Sequence, residues 1–134
     1  MPAGYSGTPL AKKLGLKEGG AHYVKGMPES VRAEIEANVC PRYLARPIKA
    51  LPAAHVFETE AASLKAALTT LRLLLAPNGQ IWVSWPKKAA KVETDITEDT
   101  IRAIALPMGY VDVKVCAVDA TWSGLKLVIR KQLR

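Results

Sequence analysis

Aromatic residues are scarce in this chain, at 6% of its 134 residues. A core sufficient for a domain of this length must therefore be built mainly from Leu, Ile, Val and Ala. Cysteine is also scarce, because only Cys40 and Cys116 occur, far apart and outside any CxxC spacing. This excludes a disulfide framework and a zinc motif, so no metal site is assigned. Both thiols are predicted to pack against apolar neighbours.

Long apolar segments are missing as well. No run reaches the roughly 20 apolar residues that cross a bilayer, and no apolar leader segment follows Met1. We therefore expect a cytoplasmic protein that has no membrane partner.

Acidic residues are outnumbered, since 19 Lys and Arg stand against 12 Asp and Glu and give a formal net charge of +7. The excess is spread along the chain and favours an anionic partner: an anionic small molecule, an acidic protein or nucleic acid. No basic stripe, helix-turn-helix or RNA-binding signature accompanies it, so charge alone supports the nucleic-acid alternative. The other interpretation is a protein that is merely basic.

Apolar periodicity predicts helices that alternate with strands. The predicted helices are Thr8–Leu14, a segment from Pro28 to Cys40, Glu60–Leu75, and a segment that begins at Asp95 or Thr97 and is ended by Pro107. The predicted strands are Ala21–Val24, Ala53–Phe57, Gln80–Trp85, Val111–Val118 and Leu125–Arg130, with a further short strand at Ile48–Leu51. Thr59 is the expected N-cap of the third helix, and Pro77-Asn78-Gly79 is predicted to be a turn.

This order predicts an α/β fold in three layers, with a mostly parallel sheet and an antiparallel C-terminal hairpin. All 134 residues are expected to form a single domain, in which residues 1–18 are an N-terminal extension or short helix. The opening Met1–Gly7 is expected to be irregular. Whether the last strand is exposed or inserted inside the sheet stays open at this point, and so does the oligomeric state.

From Ala53 to Lys131, the order of leucine-rich helix, Pro-Asn-Gly turn, strand, helix and hairpin resembles the second half of a class I methyltransferase. Longer blocks are similar to an uncharacterised bacterial family, domain of unknown function 3052. They are Tyr5–Gly15, Trp82–Lys88, Thr94–Asp99, and Asp112–Asp119 followed by Thr121–Lys126. The resemblance implies a Rossmann-like domain with a shortened methyltransferase topology, and it implies no established activity.

Two features of that fold's cofactor site are missing from the sequence. A methyltransferase needs a glycine-rich turn after its first strand, whereas Lys25-Gly26-Met27-Pro28 offers a single glycine. An acidic residue usually ends the second strand, whereas Ile48–Leu51 contains none. We therefore expect no cofactor, S-adenosylmethionine (SAM) included.

Ligands of open α/β sheets bind outside the carboxyl ends of the strands. Two loops, Trp85–Asp95 and Asp119–Ser123, are predicted to meet there and to form a ligand or partner edge. Its residues are Trp85, Lys87, Lys88, Asp95, Asp119, Thr121 and Trp122. The alternative is that the lysines are solvated and the tryptophans are packing residues. A second candidate is an anion site at Gly26, where a helix N-terminus follows a strand.

No catalytic residue is assigned, because neither a Ser–His–Asp arrangement nor a carboxylate pair follows from spacing. His22 and His55 are interpreted as structural histidines within strands. Three functions stay open. The first is a non-catalytic domain that binds a ligand or partner on a degenerate methyltransferase-like scaffold. The second is a divergent enzyme that uses SAM or a nucleotide, and the third is a basic nucleic-acid-associated protein.

Overall fold

The computed structural model of the chain describes residues 7–134, so the expectations for Tyr5, Ser6 and most of Met1–Gly7 lie outside it. The helices are α1 (Leu10–Lys13), α2 (Glu29–Glu36), α3 (Ala61–Leu74) and α4 (Glu98–Ala105). The strands are β1 (Ala21–Lys25), β2 (Arg42–Leu44), β3 (Leu51–Phe57), β4 (Leu75–Pro86), β5 (Tyr110–Ala117) and β6 (Trp122–Ile129). None of the helices in residues 7–134 has the length and hydrophobicity needed to cross a bilayer.

The six strands form one sheet in the order β2-β1-β3-β4-β6-β5. The first four are parallel to one another, whereas β6 runs antiparallel to both β4 and β5. This confirms the predicted α/β class, with its mostly parallel sheet and antiparallel C-terminal hairpin. It also decides the question of the last strand, because β6 lies inside the sheet and β5 is the outer edge.

One face of the sheet is covered by α3 and α4. The leucine stripe of α3 is completely buried there, through Leu64, Leu68 and Leu71. Each fully buried leucine contributes about 1.5–3 kcal/mol relative to an exposed one. The Tyr110 hydroxyl donates to the Leu68 carbonyl at 2.7 Å, so the one polar atom of that buried ring is satisfied. The period of 3.6 residues read from the sequence therefore identifies this face correctly.

The opposite face is covered by α1 and α2, which pack over Phe57 and Trp82. A helix of only four residues, as α1 is, has no stability of its own. It is held by tertiary contacts, since Trp82 Nε1 and Gln80 Nε2 both donate to the carbonyl of Leu14, at 3.0 and 2.8 Å. Two side chains of β4 thus fix the end of the N-terminal helix.

The second strand is not where the sequence predicts it. Ile48–Leu51 is not a separate strand, because Leu51 begins β3, and β2 is instead Arg42–Leu44. With three residues, β2 is too short to show an alternating apolar pattern. Its position is set by pairing with β1, where Ala21 lies opposite Arg42. The nearby Cys40 is exposed, so the prediction that it is a packing residue is wrong.

The predicted turn at Pro77-Asn78-Gly79 is an irregularity inside β4. This strand begins at Leu75, directly after α3, and Leu75 already pairs with Leu51. The next pair joins Ala53 to Gln80, so residues 76–79 are accommodated against a single residue of β3. The turn-forming residues therefore bulge the strand rather than separate it from the helix.

We expect Gly79→Ala to lower the free energy of unfolding by about 1–3 kcal/mol, the range for overpacking a filled site. A Cβ at this position would lie 2.7 Å from Leu75 Cδ1 and 2.8 Å from the Leu51 carbonyl oxygen. The measurement is urea unfolding followed by tryptophan fluorescence. The control is Asn78→Ala, an exposed neighbour that should change stability by less than about 0.5 kcal/mol. Equal midpoints for the two variants would contradict the close approach.

Candidate functional site

The direction in which successive strands are added to the sheet reverses between β1 and β3. From β1 the chain continues outward to β2, whereas from β3 it continues to β4 on the other side. The carboxyl ends of β1 and β3 therefore flank the topological switch point, where open α/β sheets bind their ligands. Residues that end these two strands, or directly follow them, are therefore candidates for a ligand-binding site.

An ion pair spans this switch point. Lys25, the last residue of β1, places Nζ 2.6 Å from Glu58 Oε2, and the same nitrogen donates to Ser63 Oγ at 3.0 Å. The Glu58 side chain is 6% exposed, whereas that of Lys25 is 39% exposed. A carboxylate so well buried depends on its counter-charge, because leaving it alone is strongly unfavourable. The crevice between the two strand ends is thus bridged by groups of the chain itself.

The turn after β1 also lies close to β3. Gly26 has a φ of +70°, and a Cβ added to it would lie 3.2 Å from the Phe57 carbonyl oxygen. The helix that follows, α2, has Pro28 at its N-cap and no side-chain cap, and it carries Glu29 in its first turn. That carboxylate already complements the positive end of the helix. The anion site at Gly26 stays a prediction that nothing at this turn strengthens.

The two tryptophans of the predicted ligand edge lie on opposite faces of the sheet. Trp85 is 9% exposed and belongs to the core beneath α3 and α4. Trp122 packs on the other core, with its ring edge-on to Phe57 at a centroid distance of 5.2 Å. Trp85 of β4 lies opposite Ser123 of β6, and side chains of successive residues in a strand alternate between faces. Trp122, the residue before Ser123, therefore lies on the other face from Trp85, and the two rings cannot line one crevice together.

The two loops themselves do meet. The backbone N–H of Lys87 donates to the Thr121 carbonyl at 2.7 Å, and Lys88 is exposed beside it. Asp119 Oδ1 accepts from the N–H groups of both Thr121 and Trp122 at 2.8 Å, so it shapes its own turn. Lys87, Lys88 and Thr121 are accordingly the part of the predicted edge that is free to contact a partner.

Asp95 is engaged elsewhere. Its Oδ1 accepts from the backbone N–H of Ala61 at 2.7 Å and so satisfies the first amide of α3. The expected N-cap, Thr59, does not do this, and its carbonyl instead accepts from the Thr94 hydroxyl at 2.6 Å. The prediction that Thr59 caps α3 is therefore wrong. The oxygen that accepts from the first amide of the helix comes from Asp95, in a distant loop, and not from a residue next to the helix.

Sequence spacing missed a serine–histidine contact. His55 Nε2 lies 2.7 Å from Ser84 Oγ, across the neighbouring strands β3 and β4. Both residues are 0% exposed, so neither can reach a substrate. Burial, reinforced by nearby His22, lowers the pKa of His55 well below 6.5, which makes its ring a poor base. The pair has the distance of a catalytic dyad but serves the interior of the fold.

His22 extends this buried polar row. Its ring centroid lies 6.3 Å from that of His55 and 6.1 Å from that of Tyr43. Burial lowers the pKa of His22 to about 4, so the ring is neutral at physiological pH. Within residues 7–134, both of its nitrogens, His55 Nδ1 and Tyr43 Oη are buried without a hydrogen-bond partner. The structural role predicted for the two histidines fits this burial.

The SAM that the methyltransferase resemblance implies does not fit the residues present. The turn after β1 has one glycine, and that glycine already approaches the Phe57 carbonyl. Leu44 ends β2 and is followed by Ala45 and Arg46, so no acid is placed for the ribose hydroxyls. The Lys25–Glu58 pair spans the remaining space. In the described part of the chain, no group of three or more His, Cys, Asp or Glu residues is arranged to hold a metal ion.

Solved structures share this fold. A SAM-dependent methyltransferase from Aquifex aeolicus is 16% identical, with a TM-score of 0.59 over 90% of this chain and 87% of that chain. Magnesium protoporphyrin IX methyltransferase (ChlM) from Synechocystis PCC 6803, with bound SAM, is 11% identical, with a TM-score of 0.57 over 90% and 74%. LepI in complex with SAM is 8% identical, with a TM-score of 0.56 over 92% and 47%, so this chain spans about half of LepI.

No protein-family model and no curated protein matches the sequence. Membership of the uncharacterised bacterial family therefore stays a prediction. Identities this low show a common architecture and nothing finer. The chain has the Rossmann-like fold of class I methyltransferases in a shortened form.

Proposed function

We propose that this protein is a non-catalytic domain that binds a ligand or partner on a methyltransferase-like scaffold. The observation that carries the proposal is the ion pair between Lys25 and Glu58 at the switch point. A cofactor entering there would separate the pair and leave a buried carboxylate without its counter-charge. The tight approach of Gly26 to Phe57 supports the same conclusion, since it leaves little room beneath the turn.

The Lys87–Thr121 contact supports a role for the neighbouring loops in binding. Lys88, which is exposed, and Lys87, which is half-buried, would act as point charges toward a phosphate or a carboxylate. Lys88 has no ion-pair partner among residues 7–134. These lysines are the part of the predicted edge that we retain as a binding surface.

The test is calorimetric titration of the folded protein with SAM and with S-adenosylhomocysteine. We expect no heat of binding at millimolar ligand. A companion variant, Lys25→Ser with Glu58→Ser, removes both charged side chains of the ion pair and leaves the rest of the chain unchanged. Binding by this variant alone would identify the pair as the obstacle and support the proposal. Micromolar binding by the unaltered protein would overturn it.

A SAM-dependent methyltransferase is the second candidate. The neighbours support it, because the structures of LepI and ChlM hold SAM, and that of PigF, with a TM-score of 0.60, holds S-adenosylhomocysteine. The same calorimetric titration separates the two candidates. The third candidate, a nucleic-acid-associated protein, predicts binding that weakens steeply with salt.

A further inference from the structure

The outer strand β5 has an unpaired edge. In the described chain it pairs only with β6, so its other side presents free backbone groups. Val113 and Val115 are 54% and 50% exposed there, although both are apolar. A β-bulge at Val113 interrupts the register, after which Lys114–Ala117 pairs regularly with β6. This second half of β5 is a template for one more strand.

A basic groove adjoins the same half-strand. It encloses about 410 Å³ between α1, which contributes Lys12 and Lys13, and the residues Lys114–Ala117 of β5. The bulge places Lys114 directly opposite Lys126 of β6. Like charges in a cross-strand pair are destabilising, so the fold tolerates an uncompensated positive charge at this position.

The acids that could neutralise the groove are engaged elsewhere or lie outside it. Asp112, the one acid in β5, accepts from Arg102 Nε at 3.0 Å. None of the ion pairs within residues 7–134 involves Lys12, Lys13, Lys114 or Lys126. Glu34 lines a neighbouring cavity that it shares with Lys13, and it forms no ion pair there. The six residues before Gly7 contain no acid that could serve.

We propose that the second half of β5 accepts an extended peptide as an added strand, and that this peptide alternates acidic with apolar residues. Backbone hydrogen bonds to the open edge would supply affinity, and alternate side chains would supply specificity. The acidic side chains would lie on the lysine face, and the apolar ones beside Val113 and Val115. The inference rests on the proposed function, for which it names a partner.

The same features disfavour the other occupants of such an edge. A second copy of β5 would bring Lys114 toward another basic strand, and its Asp112 is already held by Arg102. Lysine on an edge strand is a known protection against self-pairing. A nucleic acid would use the lysines, but the residues that line the groove include no aromatic ring on which a base could stack.

The test is fluorescence anisotropy with a labelled peptide of four Glu-Val repeats and the full chain. We expect binding that weakens with salt and falls about tenfold in the variant Lys13→Glu with Lys114→Glu, since each exposed ion pair is worth a few-fold. The matched control, Lys49→Glu with Lys65→Glu, makes the same charge change at exposed positions away from the groove. It should bind as the unaltered protein does.

A second peptide, N-methylated at alternate residues, keeps the charges but cannot pair as a strand, and we expect it not to bind. Equal binding of the two peptides would overturn the strand addition, and so would no binding at millimolar peptide. Displacement of the peptide by duplex DNA that binds more tightly through Lys114 would instead identify a nucleic-acid surface. The SAM titration is a separate readout, so a failure of this inference is distinguishable from a failure of the proposed function.

Discussion

Replacing Trp82 by alanine is expected to lower the free energy of unfolding by about 3–5 kcal/mol, the range for removing a large buried ring. Trp82 is 0% exposed and lies beneath α1 and α2. Its indole N–H also holds the Leu14 carbonyl at 3.0 Å. Domains of ordinary stability have about 5–15 kcal/mol in total, so this single change removes a large share of it.

Trp82→Phe separates the two contributions of the ring. Phenylalanine retains much of the packing but cannot donate to Leu14, so a loss of about 1–2 kcal/mol is expected. Hydrogen exchange of the α1 amides should rise in this variant more than exchange elsewhere, because Gln80 alone would then hold the helix end. The measurement for both variants is chemical denaturation, with Leu73→Ala as the control.

Leu73 is 84% exposed, so its removal should change stability by less than about 0.5 kcal/mol. If Trp82→Ala were no more destabilising than this control, the packing of α1 and α2 on β4 would be wrong. If Trp82→Phe left α1 exchange unchanged, the bond to Leu14 would have no role in anchoring the helix.

Acid is expected to destabilise the protein through His22, by about 3 kcal/mol between neutral pH and pH 4. Burial keeps this ring neutral in the native state down to a pKa of about 4, whereas in the unfolded chain it titrates with the ordinary histidine pKa of 6.5. Between those values the unfolded state binds the additional proton, so the free energy of unfolding falls as pH falls. Above pH 6.5 this group has no effect.

The control for this prediction is His22→Gln, which fills a similar space and does not titrate. The free energy of unfolding is measured by urea denaturation from pH 7.5 to 4.5 for both proteins, and the carboxylates contribute equally to each. The unaltered protein should lose more stability over this range. His55 adds to the acid sensitivity of both proteins, because burial also lowers its pKa. Parallel pH profiles would show that His22 titrates normally in the folded state.

The shortened fold bears directly on function. The order β2-β1-β3-β4-β6-β5 retains the switch point of the methyltransferase architecture. The residues placed there bind one another, since Lys25 contacts both Glu58 and Ser63. Under the proposed function, a ligand or partner would bind elsewhere on the domain, and the open edge of β5 is the surface that we propose.

Patterns that depend on neighbours in the sequence were predicted well. The leucine stripe of α3 and the alternation of β6 each follow from one element's own period, and the structure has both. The alternation predicted for β5 is absent, because a bulge at Val113 leaves Val113, Lys114 and Val115 all exposed. Thr97 caps α4 as one of the two predicted candidates, with a reciprocal bond to Thr100. The start of β4 was predicted poorly, because Pro77–Gly79 are residues typical of a turn and yet lie within the strand.

The sequence by itself determined the class of fold, the faces of its main helices and the presence of a single glycine in the turn after β1, because each is encoded in a short stretch of chain. Only the tertiary structure decided which distant residues meet. It paired Lys25 with Glu58 and His55 with Ser84, and it sent Trp85 and Trp122 to opposite faces. Such contacts depend on strand order and register, which are set by the packing of the whole sheet rather than by any local pattern.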